Sequence, residues 1–344
     1  MKKIISRSIY LAIFAIIIYT VAWVISATII KNKIISEIDQ LKKDTIILTY
    51  DNGLNLGGYP FKISLEFLNP KIEFNGKKHL QLSTDKFHLN TNLIANCIEL
   101  KFENEVSFES PEVNNKINYN NGAKIEVNFL GSLLLNPVAT NLKELWEKTK
   151  LIKYNDDGFK IIDSETKLTT LEIENNFLNI HHSINDNKQS KIKIISASKG
   201  QQSKDLDLTL GKTNSSSDIE VLTAYDSITK ESKLKEFNLT INNLNIEAEK
   251  SSIAIKGGFK SSTNSFVPTG DMNFTIKDYD VILDYLISRK AFEKKDVMRA
   301  LLQKISGAND TDADLHFAIK RVENGELKIG NLSIADLFSF YYQK

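Results

Sequence analysis

From Ser8 to Ile30 the chain reads SIYLAIFAIIIYTVAWVISATII, without one charged residue. In a helix rising about 1.5 Å per residue, such a run reaches across a hydrocarbon core of about 30 Å. The expectation is a helix that spans a membrane. A cleaved signal peptide carries a shorter apolar region, about 7 to 15 residues, closed by small residues at the cleavage site. Val24, Ile25, Ser26, Ala27 and Thr28 offer no such exit, so an uncleaved anchor is expected. Lys2, Lys3 and Arg7 precede the run and Lys31 and Lys33 follow it, a small bias toward a cytoplasmic N-terminus.

Beyond the run, Ile34, Ile35, Ile38 and Leu41 keep helical spacing with charges between them, which predicts a short stalk over residues 31–46. The period then changes to two. FKISLEF sets Phe61, Ile63, Leu65 and Phe67 on one face of a strand and Lys62, Ser64 and Glu66 on the other. The same alternation returns in AKIEVNF, TKLTTLEIENNFLNIHHSI, SKIKIISAS, KEFNLTINNLNIEAE and SSIAIKG, separated by short polar turns. Strands that are apolar on one face belong to antiparallel sheets.

The expected fold is therefore mainly β with some α (α+β). Residues 1–30 form a cytoplasmic tip and transmembrane anchor, and residues 31–46 the stalk. Residues 47–344 form a large antiparallel sheet, open as a trough or closed as a sandwich, with a few packed helices. Helices are predicted in NPVATNLKELWEKTK, capped by Thr140 or Asn141, and from Asp278 or Asp280 to Gly307 with a break around residues 288–294. Asn324-Gly325 between alternating runs predicts a hairpin.

The charge balance, 44 Lys and Arg against 43 Asp and Glu, leaves a net +1 and no field to gather nucleic acid. Cys97 is the only cysteine, so no internal disulfide forms; its apolar surroundings suit a small buried side chain, and few cysteines fit an envelope compartment. NDTDADLHF alternates Asp310, Asp312 and Asp314 as a calcium loop begins, but Leu315 and Arg321 stand where that loop needs glycine and a bidentate glutamate. His181 and His182 are adjacent, so on a strand they point to opposite faces and cannot grip one ion. No nucleophile elbow, phosphate loop or zinc-protease motif occurs. The reading assigns no catalytic residue, cofactor or metal. The aromatic tail LFSFYYQK suits packing on the core better than an interfacial belt.

The remaining punctuation is Gly57-Gly58-Tyr59-Pro60-Phe61. Glycine admits angles closed to other residues, proline fixes its own, and Tyr59 ahead of it is pushed toward an extended conformation. The five residues read as a corner that delivers a strand in one orientation, or as a place of close backbone approach by a ligand or partner. A basic N-terminus, one span, a short stalk, this GGYPF entry, then GDMNFTIKDYDVILDYL and NGELKIGNLSI near the end resemble the bacterial membrane-anchored family catalogued as domain of unknown function 2125. The resemblance covers nearly the whole chain. It implies an anchored envelope protein of the bacterial inner membrane, with most of the chain in the periplasm, and carries over no established activity.

A looser similarity of pattern to AsmA-type envelope proteins implies a sheet whose apolar face accommodates lipid. In that reading Phe61, Ile63, Leu65 and Phe67 line the trough. The partners expected are the membrane and a lipid or an envelope protein, with no nucleic acid. A closed scaffold module is the alternative, and an envelope hydrolase ranks below both.

Overall fold

The computed structural model describes residues 2–44, 46–75, 79–131, 146–185, 189–203, 210–226, 233–262, 265–289, 294–309, 311–321, 326–333 and 335–336. Its contacts divide into two compact units where the sequence suggests one β domain: residues 1–150 with 161–168, and residues 151–160 with 169–344.

The first unit begins with one unbroken helix, α1 (Lys2–Asp44). The expected anchor and stalk are thus a single element. Trp23, Ala27, Ile30, Ile34 and Ile38 recur every three or four residues, so they share one face, and that face packs on the sheet. After α1 the chain reverses into β1 (Ile46–Gly57), which pairs antiparallel with β2 (Ile63–Asn75).

The first half of β2, Ile63 to Leu68, pairs with β4 (Lys86–Thr91), while Lys71 to Asn75 pair with β3 (His79–Thr84). The strand forks at Asn69-Pro70. Asn69 takes a left-handed φ of 46°, its N–H donates to the Asp85 carbonyl at 2.8 Å, and its side-chain amide donates to Asp51 at 2.8 Å. Asparagine tolerates that conformation better than most residues, which suits it to the pivot. One branch continues through β5 (Cys97–Phe102) to β8 (Ala123–Phe129), the other through β6 (Glu105–Glu109) to β7 (Asn114–Tyr119).

The second unit is built on an antiparallel meander. Beside β9 (Thr149–Asp156) lies β12 (Asn175–Ile184), followed in order by β13 (Gln189–Ser203), β14 (Thr213–Asp226), β15 (Lys233–Ala248), β16 (Ser252–Ser262), β17 (Ser265–Lys277) and β18 (Leu315–Arg321). Two short strands, β10 (Phe159–Asp163) and β11 (Thr169–Ile173), come between β9 and β12 in sequence. After β18, β19 (Leu327–Ile329) and β20 (Leu332–Ser333) close the sheet. The pairing of β18 with β19 is the predicted hairpin, although its Asn324-Gly325 turn lies outside the described residues.

Between β17 and β18 stand α2 (Tyr279–Ser288) and α3 (Lys295–Ser306). They are separated at the predicted break, and α3 ends on left-handed Gly307, whose N–H donates to the Gln303 carbonyl at 2.7 Å. Tyr279, Leu283 and Leu315 form a buried cluster under these helices, with Ile276, Met298 and Leu302 against it. Asp280 holds Arg299 through two hydrogen bonds of 2.9 and 2.6 Å across the helix pair. The predicted helix over residues 136–150 lies mostly outside the described residues, which show a helical turn only at 146–148.

These contacts set the cost of three substitutions. Gly58 has φ 93°, and a Cβ there would meet the Lys62 carbonyl oxygen at 2.7 Å, so Gly58→Val should cost about 1 to 3 kcal/mol in a denaturant melt. Leu283 is 1% exposed, and truncating it to alanine should cost about 2 to 5 kcal/mol. Arg299→Ala, which removes a partly exposed ion pair from the same helices, should cost under about 1 kcal/mol in the same assay.

Candidate functional site

The Gly57–Phe61 corner lies against the middle of α1. Tyr19 donates its hydroxyl to the Pro60 carbonyl, Thr20 and Tyr59 share a hydroxyl hydrogen bond of 2.8 Å, and the Trp23 indole donates to the Lys62 carbonyl at 3.0 Å. The Tyr59 ring meets Trp23 edge to face at 5.4 Å and Tyr19 at 6.4 Å. One helical turn thus supplies three hydrogen-bonding side chains to one short loop. Further along, Lys31 donates to the Leu54 carbonyl at 2.9 Å, so β1 runs back along the helix. The close backbone approach at Gly58 is made by the corner itself, at Lys62 and Ser64, while the helix takes hold of Tyr59, Pro60 and Lys62.

Of the four residues expected to line a trough, three are core. Ile63 and Leu65 are 0% exposed and Phe67 is 1% exposed, packed with Trp23, Ala27, Ile30 and Leu54. Phe67 also stacks on Phe87 at 4.3 Å and meets Tyr50 edge to face at 5.3 Å. Phe61 does not share their face. It sits in the turn ahead of β2 at 86% exposure, because the alternation starts at Ile63 and the turn aims residue 61 outward. The apolar stripe of α1 already occupies the face of β2 that a ligand would need.

An uncovered apolar face exists in the second unit. Directly paired residues of an antiparallel sheet share a face. Following the registers from β12 to β18, Ile180, Ile194, Ile219, Ile241, Gly257, Met272 and Ile319 stand in one row. The neighbouring rows carry Ile192, Val221, Leu239 and Phe259 on one side, and Leu244, Ile255, Phe274 and Phe317 on the other. Among the apolar side chains of these rows only Ile241 is buried; the others keep partial access to solvent. The cover supplied by α2 and α3 lies at the Ile276 and Leu315 end. Phe274 and Phe317 stack at 5.1 Å within the face.

No Asp, Glu, Lys or Arg stands on this face among the described side chains of β12 to β17. The opposite face is laced with charge. Lys191 pairs with Glu220 at 2.7 Å and Lys193 with Asp218 at 3.2 Å. The Asp218 carboxyl is held below its usual range by the Asn242 amide that donates to it, with Lys193 adding to the effect. The strands concerned are those whose alternation the sequence displays. What alternation could not convey is which sheet face the helices would leave open.

The other candidates resolve into structure. His182 is buried and shares a 3.0 Å hydrogen bond with Ser190, whereas His181 points to the exposed side. Asp312 accepts from the Asn309 N–H and Asp314 from the Asp278 N–H, so both hold turns; Asp310 lies outside the described residues. At the fork of β2 a polar cleft of about 490 Å³ is lined by Asp51, Asn69, Lys71, Asp85 and Glu105. Two of its acids are held by separate partners, Asp51 by Asn69 and Glu105 by Lys116 at 2.6 Å. No group of three potential metal ligands gathers among the described residues. The aromatic tail, residues 337–344, lies outside them.

In α1 the stretch Ile13–Ser36 is long and apolar enough to cross a membrane and is largely unburied. Comparison with protein-family profiles, curated proteins and solved structures finds no match.

Proposed function

We propose that this chain is a single-pass protein of the bacterial inner membrane that holds acyl chains on the open sheet face of its second unit, on the periplasmic side, and performs no catalysis. The observation that carries this reading is the partly exposed apolar face running from β12 to β18, free of Asp, Glu, Lys and Arg among the described side chains of β12 to β17 and bordered on β18 by Arg321. At about 4.8 Å between strands, the seven strands extend roughly 30 Å, the scale of an extended acyl chain or more. A face of that extent is rarely left to water, and each CH₂ withdrawn onto it contributes about 0.8 kcal/mol.

A protein edge is a weaker occupant. Strand-adding partners need free backbone groups, and the interior strands of this meander are paired on both sides. The charge-laced opposite face gives the second unit a wet side and a dry side, as a carrier of apolar chains requires. The helix that can cross a membrane, and the resemblance of its GGYPF entry to an anchored envelope family, support the location.

The test is photocrosslinking in intact membranes. A photoreactive phenylalanine analogue in place of Ile219 or Leu239 in the full chain should yield adducts with lipid mass. The same analogue at Lys193, on the opposite face, should yield none. Ile219→Asp should abolish adducts formed from Leu239 by placing a charge where acyl chains would lie. Adducts of protein rather than lipid at Ile219 would replace this reading with an interaction module, and equal lipid labelling on both faces would remove it.

A further inference from the structure

The geometry points to the Tyr59-Pro60-Phe61 corner as a foot that rests in the lipid headgroup layer, marking on its side of α1 where the membrane-spanning part of the helix ends. The inference rests on the proposal that α1 is an anchor, and adds to it a boundary and a lipid-contacting loop. A span read from composition alone extends to Ile30. The structure makes that placement costly, because the end of the β1–β2 hairpin is fixed to the helix at Tyr19, Thr20 and Trp23. A span to Ile30 would draw the hairpin end, with exposed Asn55 and Lys62, into hydrocarbon. Unpaired backbone and charged groups are strongly disfavoured there.

Placing the boundary at the corner removes the conflict. The helix N-terminal to Thr20 runs from Lys2 to Tyr19, about 27 Å at 1.5 Å per residue; its uncharged part, Ser8 to Tyr19, covers about 18 Å of that, and a span shorter than the hydrocarbon core is accommodated by local thinning and by basic residues at its end reaching the headgroups. Its described side chains are exposed and apolar: Ile13, Phe14, Ile16, Ile17 and Ile18. Lys2, Lys3 and Arg7 then belong to the far boundary, where basic residues favour the cytoplasmic side. Tyr19, Trp23 and Tyr59 cluster at the near one, and such amphipathic rings prefer the lipid–water boundary.

Phe61 is the residue with no other explanation. It is 86% exposed at the tip of a loop held by three side chains of the helix. Val21, Val24, Ile25 and Ile29 also remain exposed on α1 beyond the level of Tyr19, the last of them about 15 Å along the axis at 1.5 Å per residue. A modest tilt, common for membrane helices, brings the nearest of them, Val21, toward lipid on the side away from the hairpin.

The experiment uses the full chain in phosphatidylethanolamine–phosphatidylglycerol vesicles, with Cys97→Ser as background. Environment-sensitive probes are attached at Ile17→Cys, Phe61→Cys and Lys71→Cys. The probe at residue 61 should be quenched by lipids bearing a nitroxide near the headgroup and be several-fold less accessible to aqueous iodide than the probe at residue 71. The probe at residue 17 should answer to nitroxides deep in the acyl chains. Full iodide access at residue 61 with residue 17 still deep would overturn the foot and leave the anchor standing. Iodide access at residue 17 would overturn both. A second readout needs no label: in a Trp146→Phe chain Trp23 is the remaining tryptophan, and its fluorescence should be quenched most by shallow brominated lipids. Maximal quenching by deep bromines would place the corner inside the hydrocarbon and refute the boundary.

Discussion

Everything in the first unit depends on one packing contact, the stripe of α1 from Trp23 to Ile38 laid over Ile63, Leu65 and Phe67. Each of those three side chains leaves water completely, a gain of about 1.5 to 3 kcal/mol apiece relative to exposure. The contact also fixes the chain's direction. Because β1 must return along the helix to complete it, the hairpin end arrives at Tyr19 to Trp23 and nowhere else. Gly58, in a conformation closed to most residues, turns the backbone there, and the helix receives the turn with three polar side chains.

The two units solve the same problem in different ways. Both contain strands that are apolar on one face, and both must do something with that face. In the first unit a long helix covers it at β2, and the result is a core of buried side chains. In the second unit two short helices cover only one end of a seven-stranded meander. The remaining face keeps its solvent access, while the other side is neutralised by lysine–carboxylate pairs. That asymmetry underlies the functional reading, since a sheet with one dry face and one ionic face is suited to hold an apolar guest without exposing it on both sides.

The same logic separates the apolar groups by role. Ile63, Leu65 and Phe67 belong to folding. Ile194, Ile219 and Leu239 are only partly withdrawn from water. Phe61 contributes nothing to the core and lies at the tip of a rigid loop beside the apolar helix. The polar candidates His182, Asp312 and Asp314, and Asp51 and Glu105 of the fork cleft, are engaged in turns, strand contacts or ion pairs.

The sequence by itself determined what is local. An uncharged run makes a long apolar helix; period-two alternation makes one-faced antiparallel strands; Gly307 ends a helix; adjacent histidines on a strand point apart. Each is set by the geometry of a few consecutive residues. The continuity of anchor and stalk, the fork at Asn69 and the division into two units were decided by tertiary structure. So was the fate of each apolar face, because alternation specifies that a face is apolar and carries no information about what lies above it. Phe61 illustrates the limit: by spacing it belongs with Ile63, Leu65 and Phe67, but the turn that Gly58 permits ends one residue after it, and the strand that buries the other three begins without it.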